Sequence, residues 1–478
     1  MLDDARDESV PLTRSAQVAV IGSGPAGATL ALALSRYADV LVIESGGLED
    51  DPETARLYEG ESIGIDYSLV DTRARRLGGS SHLWSGWCTP FDPLDFAERP
   101  WVEHSGWPFG TETLAPYYAD AAHLLNLNNA VFDAAGTLSR IGVAAPRLDP
   151  LETVLSLWRF GLPTARFGES STIRAMTAAQ VHVLCHASVV DIRLDSSHSQ
   201  VRELVVRSTD GREGRISADF VVIACGGIET PRILLNCRSQ VSYGIGNAHD
   251  NVGRFFMEHP HAELASVPPI DDDWYECATR KGIDVAQHPF ILAFGVPPAR
   301  QIEERILNAR AHFYLPPTGS GPMARLGVFM EQAPDPDSRI TLGKARDRLG
   351  MLRARLNWKL GKLDEYSAQR TGALLATQLK RMGVQHERIE PPYFANRKAV
   401  TYTSHHIGTT RMTNDRERGV VDSSCRVHDI DNLFVAGSSV FPTASWANPT
   451  FTIVALALRL AAHLRELIAP EAKRDMLQ

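Results

Sequence analysis

The stretch from Gln17 to Glu44, QVAVIGSGPAGATLALALSRYADVLVIE, constrains the rest of the chain most. An apolar run, Val18-Ala19-Val20-Ile21, suits a strand buried on both faces. It runs into Gly22-Ser23-Gly24-Pro25-Ala26-Gly27, then into a helical segment rich in Ala and Leu, then into a second apolar run, Val40 to Ile43, that ends in Glu44 and Ser45. Strand, glycine turn, helix, strand and acid in that order form a dinucleotide-binding unit. Gly22 permits the tight turn, Gly24 lets backbone amides approach a pyrophosphate, and Gly27 lets helix and strand pack closely. The positive end of the helix then faces the phosphates, from Gly24 through Pro25 and Ala26. Glu44 is spaced to accept hydrogen bonds from ribose hydroxyls. A plain glycine-rich turn is the alternative, and the register of all five parts argues against it.

At 478 residues the chain is too long for one ordinary core, so two domains are expected. A hydrophobic content of 44% with 22% charged residues describes a globular chain, and a net charge of −8 argues against a nucleic-acid or anionic-membrane partner. The six cysteines are scattered without a CxxC pair, which reads as buried thiols, and no metal site is expected. The opening MLDDARDESVPLTRSAQ lacks the charged-then-apolar layout of an export signal, and Phe451 to Leu467 carries Arg459 and His463. The expectation is a cytoplasmic chain without a membrane span.

A second candidate contact loop is Arg76-Leu77-Gly78-Gly79-Ser80-Ser81-His82-Leu83-Trp84-Ser85-Gly86-Trp87. Paired glycines, small hydroxyls and two tryptophans suit a loop pressed against a flat ring. His82 could serve as a ligand, a cofactor attachment point or a satisfied polar residue, and taken alone the last is favoured. Helical signals dominate from Pro100 to Ala145. Val181 to Leu184 and Ser188 to Leu194 alternate as half-buried strands. The buried run Phe220 to Ile223 then enters a second glycine-bearing turn, Cys225-Gly226-Gly227, and a helix through Leu235.

Between Ala262 and Lys398 the character changes. Phe290 to Phe294, His312 to Leu315, Leu326 to Met330, Arg339 to Leu342 and Ala354 to Trp358 recur with Pro, Gly and Asp between them, which predicts a mostly antiparallel sheet. A helix over Asp364 to Met382 is expected to cover one face of it. Cofactor-type patterns then return: Ser404-His405-His406-Ile407-Gly408 precedes Arg411-Met412, and Gly437 leads to Asn448-Pro449-Thr450 and a long final helix. A neutral imidazole suits removal of a hydroxyl proton, and an amide suits the oxygen it leaves behind. Asn448 before Pro449 is also what a helix cap looks like.

Taken together, the N-terminal glycine turn, RLGGSSHLW, VVIACGGIETPRILL, GRFFMEHP, PDPDSRITL, HHIGTTRM and FVAGSSVFPTASWANPTFTIVALALRLA resemble the glucose-methanol-choline (GMC) oxidoreductase family, nearest the branch of pyranose oxidase and bacterial sugar dehydrogenases. The resemblance implies FAD as cofactor and a catalytic His–Asn pair. Counting back from Arg411-Met412 places the base on His405 rather than His406, and the second member falls on Asn448. It also implies that Val189 meets the adenine side, while Gly437, Asn448, Pro449 and Thr450 line the flavin. Fungal pyranose oxidases tether the flavin through a His directly before the loop tryptophan. Here Leu83 stands before Trp84 and His82 sits one place earlier, so FAD is expected to be held non-covalently.

The fold class expected is α/β, a Rossmann-like FAD-binding domain with an inserted α+β substrate domain on a mostly antiparallel sheet. Residues 1–100, 165–261 and 401–478 are assigned to FAD, 101–164 to a helical cap and 262–400 to substrate. The function expected is oxidation of a secondary hydroxyl of a sugar or glycoside to a ketone, with O₂ or an external acceptor taking the electrons and an oligomeric assembly left open. A tailoring oxidase of a small natural product and a flavin carrier without turnover are the alternatives, and the pairing of His405 with Asn448 speaks against the carrier.

Overall fold

The computed structural model describes residues 1–127, 130–316, 323–385, 387–388 and 402–469. The first sheet is built on the apolar runs that the sequence marks. Its order is Leu2–Asp4, His182–Cys185, Val40–Ile43, Arg14–Ile21, Glu213–Ile223, Val201–Ser208 and Ala187–Leu194, with Leu433–Val435 pairing the end of Glu213–Ile223. The pairings from Leu2–Asp4 across to Leu433–Val435 are parallel, and the pairings through Val201–Ser208 are antiparallel. Val18, Ala19 and Val20 are fully enclosed, as are Val221 and Val222, because helices cover the parallel part on its faces. The helices Pro25–Leu34 and Thr450–Ile468 pack against each other there, the second bringing the far end of the chain back to the first glycine turn.

The second sheet is antiparallel among the described residues. Its order is Glu387–Arg388, His261–Val267, Ala324–Met330, Ala309–Tyr314, Pro289–Gly295, Val154–Phe160 and Trp87–Cys88, with Gly282–Ile283 beside Pro289–Gly295. Leu375 and Leu379 of the helix Lys362–Arg381 join Phe290, Leu292, Phe313 and Val328 in one apolar cluster, so that helix lies on this sheet. Two strands expected in this sheet are elsewhere. Arg339–Arg346 and Leu352–Asn357 form a separate sheet with Glu61–Ser62. Ile340, Ala354, Leu356 and Trp358 close on Ile65, Tyr67, Leu69 and Phe256 as a core of their own. Alternation along a strand sets which face is apolar, not which strand is its neighbour. The expected domain boundary at residue 400 lies outside the described residues, as does the last part of the C-terminal segment, from residue 470.

All six cysteines are free thiols. Among the described residues no helix is long and apolar enough to cross a membrane.

Candidate active site

The first glycine turn shows a separate steric reason for each glycine. Gly22 has φ +95°, and a Cβ there would sit 2.7 Å from the carbonyl oxygen of Ala224. A Cβ on Gly27 would sit 1.9 Å from the carbonyl oxygen of Gly22, so any side chain would push helix and turn apart. A Cβ on Gly24 meets nothing within 4 Å. Gly24 therefore faces open space, which is what close approach of a ligand to backbone requires. The same holds for Gly226 and Gly437, whose added Cβ atoms would also stand in the open. These three glycines line one cavity of about 650 Å³, within the range of small-molecule and cofactor sites.

Glu44 sits at one side of that cavity and fastens the turn. One carboxylate oxygen accepts from the backbone N–H of Ser23 at 3.0 Å and from its hydroxyl at 2.5 Å, and the other accepts from the N–H of Gly46 at 2.8 Å. Beside it, Glu229 anchors an arginine cluster. Its oxygens accept from Arg73 at 2.9 Å, Arg75 at 2.8 Å and Arg232 at 2.9 Å, and Arg232 also pairs with Asp347. Burial works to raise the Glu229 carboxyl, but Arg232, Arg75 and Arg73 outweigh it and hold it at about 2. Arg75 reaches on to the hydroxyl of Ser45 at 2.6 Å.

The second glycine loop makes a single 3₁₀ turn over Gly79–His82. A Cβ on Gly79 would lie 3.0 Å from the Cα of Gly24, so the two glycine segments touch. Arg166 ties the loop down by donating to the carbonyls of Ser81 and Trp84, and the Trp84 indole N–H donates to the carbonyl of Ala165 at 2.8 Å.

His405 and Asn448 meet at the cavity wall, the Asn448 Nδ2 lying 3.4 Å from His405 Nε2. Asn448 is buried and its Oδ1 has no protein partner. His405 follows Ser404, which is in the left-handed region at φ +65°, and its backbone N–H donates to Glu258. Its Nδ1 lies 2.7 Å from the Thr403 hydroxyl and 2.9 Å from Nδ1 of His259. Burial, then the neighbouring imidazoles His259 and His406, holds His405 well below the ordinary imidazole range. The ring is therefore neutral at pH 7, with a free lone pair available for a proton. The adjacent His406 turns instead toward Tyr67, ring centroids 5.6 Å apart, and Phe256. Burial, with the Arg73 charge as a smaller cause, lowers it to about 3.

Of the residues singled out in the sequence, Gly22, Gly24, Pro25, Ala26, Glu44, Ser45, Gly79, Ser80, Leu83, Trp84, Ser85, Val189, Cys225, Gly226, Gly227, His405, Gly437, Asn448, Pro449 and Thr450 line the cavity. Four others stand behind or away from its wall. Gly27 packs on Gly22 and Gly78 on Gly168, each too close to allow a Cβ. Arg76 donates to Asp50 and to the carbonyl of Leu48 on the outer side. The His82 ring is turned to the carbonyl of Leu77, with Nε2 at 2.9 Å. The wall also contains Tyr58, Arg75, Glu229, Arg232, Trp87, Phe329 and Met351. Sequence reasoning included Trp87 at the end of the second glycine loop and missed the others, which come from separate turns, a helix and a strand and carry no local motif; the run Arg73-Ala74-Arg75-Arg76 was the one visible signal.

Comparison with known proteins bears on the same segments. A family model described as GMC oxidoreductase matches residues 334–457, the stretch that carries both His405 and Asn448. The chain is 26% identical to the 2-methyl-1,2-propanediol dehydrogenase of Mycolicibacterium austroafricanum, covering 94% of each chain. It is 27% identical to the 6'''-hydroxyparomomycin C oxidase of Streptomyces lividus, over 94% of this chain and 91% of that one. The solved structure of pyridoxine 4-oxidase from Mesorbium loti superposes with a TM-score of 0.64 at 18% identity, covering 94% of this chain and 98% of that one, which speaks to the fold. Glycine turns of this kind occur in many nucleotide-binding proteins, but here the matched family segment is the one that completes the site, and the relatives align from end to end. Residues 334–457 therefore match the GMC oxidoreductase family, and over more than nine-tenths of its length the chain is similar to a dehydrogenase and an oxidase.

Proposed function

We propose that this enzyme oxidises a secondary hydroxyl of a sugar or glycoside to a ketone, with His405 as the base and Asn448 as its partner. The observation that carries the reading is the 3.4 Å approach of Asn448 Nδ2 to His405 Nε2 on the wall of the glycine-lined cavity. FAD fits the residues present: Gly24, Gly226 and Gly437 offer open backbone, and Ser45, Val189 and Arg75 line the same space. When bound, it supplies the acceptor for the hydride that leaves the carbinol carbon. His405, neutral at pH 7, takes the hydroxyl proton on Nε2, and the Asn448 amide donates to the alkoxide oxygen as charge develops.

Trp87 and Phe329 support the substrate class. Both line the cavity and both belong to the antiparallel sheet, and aromatic residues in a cavity wall suit the apolar C–H face of a sugar ring. The sequence resemblance to the sugar-oxidising branch points the same way. The test is anaerobic bleaching of the bound flavin by a panel of monosaccharides, glycosides, aminoglycosides and simple alcohols, with identification of the product. A ketone from a glycoside supports the reading. An aldehyde from a primary alcohol, with glycosides inert, removes it.

The cofactor is expected to be held without a covalent bond, since the His82 ring already engages the Leu77 carbonyl and lies off the cavity wall. Acid precipitation should leave yellow flavin in the supernatant; colour retained by a His82 peptide in the pellet contradicts this. Glu44→Ala should weaken FAD retention by roughly 1.5–3 kcal/mol, the worth of a charge-assisted hydrogen bond, while the residual holoenzyme keeps its rate of flavin reduction. Titration of the apoprotein with FAD measures the difference, and equal affinities would place Glu44 outside the cofactor's reach.

A further inference from the structure

We propose that His259 is a positioning residue that fixes the tautomer of His405, holding its hydrogen on Nδ1 and leaving Nε2 free to accept the substrate proton. The inference rests on the reading of His405 as the base. It starts from the backbone. Met257 and Ile407 form an antiparallel bridge, with each N–H donating to the other's carbonyl at 3.0 Å. Two residues further along each segment, in opposite directions, stand His259 and His405, so the register brings the two rings to the same face. The rings are nearly perpendicular, at 75°, with centroids 4.9 Å apart.

Donor and acceptor roles can then be assigned one atom at a time. His259 Nε2 is 3.0 Å from the carbonyl oxygen of Ala444. A carbonyl only accepts, so the hydrogen of His259 is on Nε2. Burial lowers His259 to about 4, so the ring is neutral and its Nδ1 carries a lone pair. That lone pair lies 2.9 Å from His405 Nδ1. Two lone pairs at that distance repel, so His405 Nδ1 must be the one that carries hydrogen. The second neighbour of His405 Nδ1 agrees. The Thr403 hydroxyl is 3.2 Å from a Glu258 carboxylate oxygen, which can take its hydrogen, leaving the Thr403 oxygen to accept from His405 at 2.7 Å.

The other end of the ring gives the same answer independently. Asn448 Nδ2 is a donor, so the His405 nitrogen that faces it, Nε2, must be the acceptor. The reverse tautomer would set two N–H groups against each other at Asn448 and two lone pairs against each other at His259. Glu258 holds the frame, accepting from the backbone N–H of His259 at 3.0 Å, of Thr403 at 2.9 Å and of His405. When His405 takes the hydroxyl proton on Nε2, its Nδ1–H stays directed at a neutral acceptor, and the new positive charge remains on the ring beside the alkoxide. A neutral orienting partner keeps the base weakly basic, in contrast to the carboxylate that orients histidine in serine hydrolases.

Three variants of the FAD-loaded enzyme test this. His259→Leu removes the acceptor and should slow anaerobic flavin reduction by the most rapidly oxidised member of the alcohol panel by about 10–100-fold, the usual effect of losing an orienting partner. FAD content and apparent substrate affinity should be unchanged. His259→Asn keeps an acceptor oxygen near the Nδ1 position and should recover most of the rate, which a purely structural role for the ring does not predict. Histidine ¹⁵N spectra, assigned with His405→Gln, should show His405 protonated on Nδ1 in the parent and a mixture of tautomers in His259→Leu. A parent spectrum with hydrogen on Nε2, or equal reduction rates in His259→Leu and the parent, overturns the proposal. Unimpaired reduction by His405→Ala would instead overturn the reading of His405 as the base.

Discussion

His405→Ala is expected to slow anaerobic flavin reduction by roughly 10²–10⁴-fold, the range that a positioned base contributes. FAD should remain bound, because His405 meets Asn448, His259 and Thr403, and the glycine cradle lies on other segments. Part of the rate should return at high pH, where more of the substrate ionises without help. In the parent enzyme the acid limb of the rate should lie below the ordinary imidazole value of 6.5, because burial and the neighbouring imidazoles lower the pKa of His405 and the base stays unprotonated through that range. His406→Ala is the control. Its ring packs on Tyr67 and Phe256, so its loss should act through stability or loop position, with the reductive step kept. Stopped-flow on the two variants separates them; loss of reduction in His406→Ala with retention in His405→Ala would reverse the assignment.

Glu229→Leu is the second change with a large expected effect. The carboxylate is buried among Arg73, Arg75 and Arg232, with Arg232 also paired to Asp347. Removing it leaves Arg73 and Arg75 buried without their counter-charge, and breaking a buried ion pair from one side costs about 3–5 kcal/mol. Denaturant unfolding of the apoprotein at pH 7 measures this, and a loss under about 1 kcal/mol would show that water or rearrangement compensates the arginines. The pH dependence has a definite sign. The folded carboxyl is lowered from 4.5 to about 2, so its contribution is complete above the unfolded value and is lost as pH falls through that window. Parent and variant should therefore differ most at neutral pH and converge toward pH 2. FAD retention should fall as well, since Arg75, Glu229 and Arg232 line the cavity.

Much of the cofactor side was legible because its constraints are local in sequence. The steric demand on Gly27 comes from Gly22 within the same turn, Gly22 has its own φ of +95°, and the strand, turn and helix they join announce themselves by hydrophobic run and glycine spacing. His405 and Asn448 stood out only because a family pattern fixed their place relative to Arg411-Met412. The residues alone allowed a helix cap at Asn448 and a choice between two adjacent histidines. Helix and strand types in the middle of the chain also followed from periodicity, including Lys362–Arg381, whose apolar positions recur at helical spacing.

Partnerships between distant segments were beyond reach of the sequence. Arg339–Arg346 and Leu352–Asn357 alternate like the strands around them, yet they leave the antiparallel sheet for Glu61–Ser62, some 290 residues away by position, because Tyr67, Phe256 and Trp358 close a separate core there. His259 lies 146 residues from His405 in a segment, GRFFMEHP, with no local reason to be near it. Arg73 and Glu229 are 156 residues apart. A side chain's own chemistry and the turn it occupies can be read from its neighbours in sequence. Which hydrogen a histidine carries, and whether a buried carboxylate is charged, depend on what the folded chain sets a few ångströms away, and in this protein His259 and Arg73 reach His405 and Glu229 from 146 and 156 residues away.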